Sequence, residues 1–140
     1  MKGKFNINGD IWWNNIMDNG VKKIMNTLSN VNETDVNLIS ISVGTSDATP
    51  DDKTLNALVA EVGLKYLIGS YSVNAVYPFD LEVNITIPDT EIARPTTVKE
   101  LGIWLGPSGS EVLFARAVDS TGVVLGVGQA VPISYDLILV

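Results

Sequence analysis

Residues 79–87, FDLEVNITI, alternate apolar and polar side chains without interruption. Phe79, Leu81, Val83, Ile85 and Ile87 fall on one side, and Asp80, Glu82, Asn84 and Thr86 on the other. Successive side chains of an extended backbone point to opposite faces. The segment therefore predicts a strand with one face packed and one face wet, the habit of antiparallel sheets. The same period returns in YSVNAVY (71–77) and ISYDLILV (133–140). In ISISVG (39–44), Ile39, Ile41 and Val43 alternate with Ser40 and Ser42. A chain with so many runs of period two must build a sheet.

KELGIWLGPSGSEVLFARAV (99–118) breaks the wet-face rule. Leu101, Ile103 and Leu105 share one face, and Gly102 and Trp104 the other. Beyond a Gly-Pro-Ser-Gly-Ser tip, Leu113, Ala115 and Ala117 oppose Val112, Phe114, Arg116 and Val118. Neither strand has a plainly polar side, which places this hairpin centrally in the sheet or against a partner. Asp119–Gly122 reads as a turn, and residues 123–132 as a glycine-interrupted extension.

Two segments carry helical spacing. In the first, Asp10 caps IWWNNIMDNG, and Ile11, Trp12 and Ile16 share a face. After Asn19-Gly20, Val21, Ile24, Met25 and Leu28 fall at i, i+3, i+4 and i+7. Residues 11–28 are expected to be helical, broken near Gly20, with 29–35 a surface connection. In the second, Thr49 is placed as the N-cap, Pro50 opens the helix and Asp51 and Asp52 fill its first turn. Leu55, Leu58, Val59 and Val62 form its stripe, and Gly63 its stop. The expected class is α+β: mainly antiparallel β-sheet or sandwich, with an N-terminal helical segment and one further helix at about 50–62. The 140 residues fit one compact domain. Within it, residues 1–30 form an N-terminal arm and helical segment suited to anchoring, and 31–140 a β-rich body.

Composition narrows the function. Net charge is −7, and the single adjacent basic pair is Lys22-Lys23. Nucleic acid needs a basic stripe and anionic membrane a basic patch, so neither is an expected partner. The chain has no cysteine and no histidine, which removes disulfides, thiolate nucleophiles, Cys/His zinc sites and histidine bases. The N-terminus MKGKFNING lacks the apolar core of a signal peptide. Charged residues are 18% of the chain, below the usual share of about 25%, and mean hydropathy is +0.23. Such a surface implies cover by other copies or by a partner protein.

Three segments, taken in order, resemble bacteriophage structural proteins of the tail, baseplate, head-fibre or capsid-decoration kind. They are ISISVGTSDATPDDKTLNALVAEV (39–62), VKELGIWLGPSGSEVLFARAV (98–118) and GQAVPISYDLILV (128–140). The resemblance implies a non-enzymatic virion subunit, made in the host cytoplasm, that binds no cofactor. It would assemble as a symmetric homo-oligomer, such as a trimer, with other virion proteins as partners.

The chemistry-bearing residues have two readings each. Asp47, Asp51 and Asp52 could hold a hard cation, but helix capping and favourable charge at a helix N-terminus already account for all three. Asp80 and Glu82 share a strand face, as solubility residues do far more often than the carboxylate pair of a glycosidase. Arg116 either forms a register-fixing ion pair with Glu100 near a subunit contact, or packs its stem at an edge with its head in water. Trp12 and Trp13 are adjacent, so one can enter the core while the other docks onto a neighbour, and Trp104 is open to the same use. The rival to the structural reading is a ligand- or carbohydrate-binding β-sandwich with Tyr71, Tyr77 and Trp104 as its platform.

Overall fold

The computed structural model describes residues 2–29, 38–68, 70–74 and 79–139, with the side chains at 70, 71, 79 and 139 outside the description. The expected surface connection falls almost wholly outside these residues, as does Tyr77.

The described residues are mainly antiparallel β-sheet with one short helix. Strands β1 (Lys2–Ile7) and β2 (Asp10–Ile16) lead into helix α1 (Asp18–Leu28). Then come β3 (Ile39–Gly44), β4 (Glu61–Leu67), β5 (Ser70–Asn74), β6 (Phe79–Ile87), β7 (Thr96–Leu105), β8 (Val112–Leu125) and β9 (Val131–Leu139). They form one curled nine-stranded sheet in the order β4-β3-β7-β8-β2-β1-β9-β6-β5.

The curl is made by β2. Its first half pairs with β1, Trp12 opposite Phe5, and its second half with β8, Asn15 opposite Arg116. One half-sheet (β2-β1-β9-β6-β5) thereby turns its inner face onto the other (β4-β3-β7-β8). Phe5, Ile7, Val83, Ile87, Ile133 and Tyr135 meet Ile41, Val43, Leu101, Ile103, Ala115 and Ala117 in a single core. The alternation of 79–87 is realised here, with Val83 and Ile87 buried inside and Glu82 and Thr86 exposed outside. Position 3 also faces inward, and a Cβ there would strike the Tyr135 hydroxyl, so the ring fills the space that Gly3 leaves. Tyr135 accepts a hydrogen bond from Asn14 Nδ2 at 2.9 Å, and burial pushes its phenol far above the ordinary value.

Several expectations are corrected. Residues 10–16 are a strand, because Trp12, Asn14 and Ile16 satisfy a period of two as well as Ile11, Trp12 and Ile16 satisfy a helix. β1 and β2 lie inside the sheet and give Phe5, Ile7 and Trp12 to the core. Gly20 does not stop the helix but lies in its first turn, where the bare Cα lets α1 rest on the backbone of Phe114. β8 runs straight through the expected turn at 119–122. A bulge between the Ile103–Ala115 and Trp104–Leu113 pairs leaves Phe114 as the extra residue. Phe114 and Ala115 both enter the main core, while Leu113 turns outward to Trp104.

The helix expected at about 50–62 is absent. Residues 46–60 are irregular and β4 begins at Glu61, so Thr49, Asp51 and Asp52 cap no helix. Thr49 takes a positive φ of 47°, and Asp52 instead accepts from the N–H and hydroxyl of Thr54 at 2.9 and 2.6 Å. Those bonds hold the exposed Asp52 carboxyl below its usual range. Tertiary partners have taken the backbone groups that a helix would need, as the next section describes. Among the described residues no helix is long and apolar enough to cross a membrane.

Candidate functional site

Arg116 and Glu100 lie side by side on the outer face of the β7–β8 hairpin, both fully buried. The register sets Arg116 opposite Gly102 and Glu100 opposite Gly44. Neither glycine has a side chain to compete, and a Cβ on Gly44 would collide with the Glu100 carboxylate. Arg116 Nε donates to Glu100 Oε2 at 3.0 Å, and its Nη2 stands 2.9 Å from the same oxygen.

The rest of the pair's hydrogen-bonding capacity goes to the segment above it. Arg116 donates to the carbonyls of Ala48 and Thr49, each at 2.9 Å. Glu100 accepts from the N–H groups of Val59 and Ala60 at 3.1 and 2.6 Å. Asn15 adds a bond to the Pro50 carbonyl, and the Asp18 N–H one to Lys53. The ion pair is thus a staple that holds residues 48–60 flat on the sheet. A buried pair is tolerable when further hydrogen bonds satisfy it, and here they fold a loop.

Under that loop lies a second apolar cluster of Met17, Leu58, Trp104 and Leu113, with Leu55 packed against it. Trp104 is 4% exposed. Its indole donates to Ser42 at 2.7 Å, and the Lys65 ammonium sits 4.3 Å from the ring centroid. Trp104 therefore serves neither as an open interface residue nor in an aromatic platform. Tyr77 and the Tyr71 side chain, the other members of the platform expected from sequence, lie outside the described residues. β3 is covered on both faces: Ser40 and Ser42, on the side that the alternation marks as wet, are buried, Ser42 against Trp104.

Trp12 and Trp13 part company as neighbours on a strand must. Trp12 is 5% exposed in the core, and Trp13 is 58% exposed on the outer face with Lys2 over its ring at 5.5 Å. On α1, Val21, Met25 and Leu28 are 42%, 60% and 79% exposed. Only Ile24 of that sequence stripe packs on the core, while Gly20 and Lys23 are the buried helix positions. An apolar cavity of about 240 Å³ opens beside the helix, lined by Ile24, Leu28, Phe114, Leu81 and Leu137 among others.

Carboxylates gather on the outer face of the β1-β9-β6 half, with Asp136 directly opposite Lys4 and Glu82. Partial burial, then the Glu82 charge, raise the Asp136 carboxyl above its usual value, against the pull of Lys4 at 3.6 Å. A carboxyl with a raised folded value weakens the fold once ionised. The wild type therefore loses stability as pH rises through that raised value. Asp136→Asn is expected to stabilise at pH 7 by about 0.5 kcal/mol or less, because the site is largely solvated. Thermal melts should show the gain vanish below the ordinary aspartate range; a loss at pH 7 would mean that the Lys4 pair dominates. Among the described residues no group of acids is placed to hold a metal ion.

Comparison with protein families, with curated proteins and with solved structures finds no match to this chain.

Proposed function

We propose that this chain is a non-enzymatic structural subunit of a bacteriophage virion, at the tail, baseplate, fibre or capsid surface. It assembles there as a symmetric homo-oligomer with other virion proteins. The observation that carries the reading is the outward stripe Val21, Met25 and Leu28 on α1. A helix in a monomer turns its apolar stripe toward the core, whereas this one turns most of it to the outside. Exposed Trp13 and Ile11 on β2 add a second contact of the kind that anchors interfaces. The low charge and the three-segment resemblance point the same way. Repeated copies closing a ring, such as a trimer, would bury these residues without leaving open ends.

Light scattering on the purified 15.0 kDa chain at micromolar concentration tests the assembly. The expected mass is a small whole multiple, and Met25→Glu with Leu28→Glu should release monomers that keep the wild-type circular dichroism. A wild-type monomer would overturn the homo-oligomer. Mass spectrometry of purified particles tests the virion assignment separately, and absence from them would end it.

A further inference from the structure

A groove of about 780 Å³ that the assembly reading does not use lies where the β1-β9-β6 half meets β4, with the outward Asn6, Ser134 and Asn84 along it, Ile85 and Ile133 of the inner face at its wall, and Tyr66 and Leu67 across it. Its volume lies within the range of small-molecule sites, roughly 300–1,000 Å³. The register builds it from residues far apart in the chain. Asn6 of β1 lies opposite Ser134 of β9, which lies opposite Asn84 of β6. Adjacent strands stand about 4.8 Å apart, so the row Asn6–Ser134–Asn84 spans roughly 9–10 Å across the sheet. Tyr66, Pro132 and Pro88 also line the groove and give it apolar surface.

Two properties define what fits. Among the described residues none that lines the groove is charged, although the chain carries 25 charged residues, 9 basic and 16 acidic. The row also offers mixed hydrogen-bonding capacity. Asn6 Oδ1 is used by the Gly9 N–H at 3.0 Å, which leaves its amide nitrogen to donate outward. Asn84 spends its amide nitrogen on Glu82 at 3.0 Å, which leaves its carbonyl oxygen to accept. Ser134, between them, does both. A donor, a hydroxyl and an acceptor in a line suit a ligand whose own groups are hydroxyls, each donor and acceptor at once. The prolines and Tyr66 suit the C–H faces of its rings. On the same outer face Asp80, Glu82 and Asp136 outnumber Lys2 and Lys4, a balance that disfavours an anionic ligand.

We infer that this groove binds a neutral oligosaccharide, with Asn6, Ser134 and Asn84 holding successive hydroxyls. The site is independent of α1, so it stands whether or not the chain oligomerises there. It also replaces the Trp104-centred platform by residues on the opposite half of the sheet.

The test titrates neutral tetrasaccharides of glucose, galactose and N-acetylglucosamine into the ¹⁵N-labelled protein, with a tetragalacturonate as the anionic control. At least one neutral sugar should give saturable shifts at millimolar concentration, centred on Asn6, Asn84 and Ser134 and including the asparagine side-chain amides. Asn84→Ala should weaken binding about tenfold, the worth of one lost hydrogen bond. Its spectral dispersion should stay intact, because the residue lies on the outer face. No saturable shift with any neutral sugar overturns the inference. So does equal binding of the uronate, or shifts centred on the α1 cavity instead of the sheet row.

Discussion

Arg116→Met will cost about 3–5 kcal/mol of folding stability, the penalty for stripping one partner from a buried ion pair. For a chain of this length that lowers Tm by roughly 10 °C or more. The substitution keeps the length of the side chain and removes the charge. It leaves the Glu100 carboxylate buried without its cation, and the Ala48 and Thr49 carbonyls without their donor. Many buried pairs can be exchanged for apolar residues with little loss. This one cannot, because it also holds the loop. Arg116→Met combined with Glu100→Leu should therefore stay well below wild type, since the Val59 and Ala60 N–H groups lose their acceptor as well. Urea unfolding followed by tryptophan fluorescence reads the stability, and limited proteolysis reads the loop. New cleavage should concentrate at 46–60, the segment over Trp104. A loss under about 1 kcal/mol, the range of exposed pairs, would show that the pair does not carry the loop.

Gly20→Ala sets two effects of opposite sign against each other. Alanine in place of glycine inside a helix is worth up to about 1 kcal/mol in its favour. The added methyl, however, would stand 2.5 Å from Phe114 Cα and 2.9 Å from the Phe114 carbonyl oxygen. These are backbone atoms of a central strand and cannot swing aside as a side chain can. Overpacking costs about 1–3 kcal/mol, occasionally more, and a clash with strand backbone belongs at the upper end. A net loss of about 2 kcal/mol is expected. α1 should lift from β8, on which it packs, and amide exchange in 18–28 should quicken. An unchanged or raised Tm would mean that the helix shifts freely and that its docking is not set by Gly20.

The difference between what the residues reveal and what they hide follows from chain distance. Strands were legible where one apolar face alone sets the period, as in Phe79–Ile87 and Val131–Leu139. IWWNNI is ambiguous because six residues satisfy both periods; its aromatic and β-branched content was the signal for a strand. Thr49–Val62 has caps, stripe and stop in their proper places, yet local preference yields to six tertiary hydrogen bonds from Arg116, Glu100, Asn15 and Asp18. Nothing in the order of residues announces those bonds. The proximity of Glu100 to Arg116 was readable from the hairpin tip, because it depends on one turn. The row Asn6–Ser134–Asn84 was not, because it depends on the first, the last and a middle strand becoming neighbours.

The pairing of β1 with β9 matters for how the molecule would bear load. Lys2 lies opposite Ile138 in an antiparallel ladder, so both ends of the described chain emerge from the same place. A tug on the two ends would open that ladder like a zipper, one rung at a time, instead of straining every rung together. Tethered by its ends, the molecule would yield at low force; gripped by its flanks, it would resist with the whole sheet.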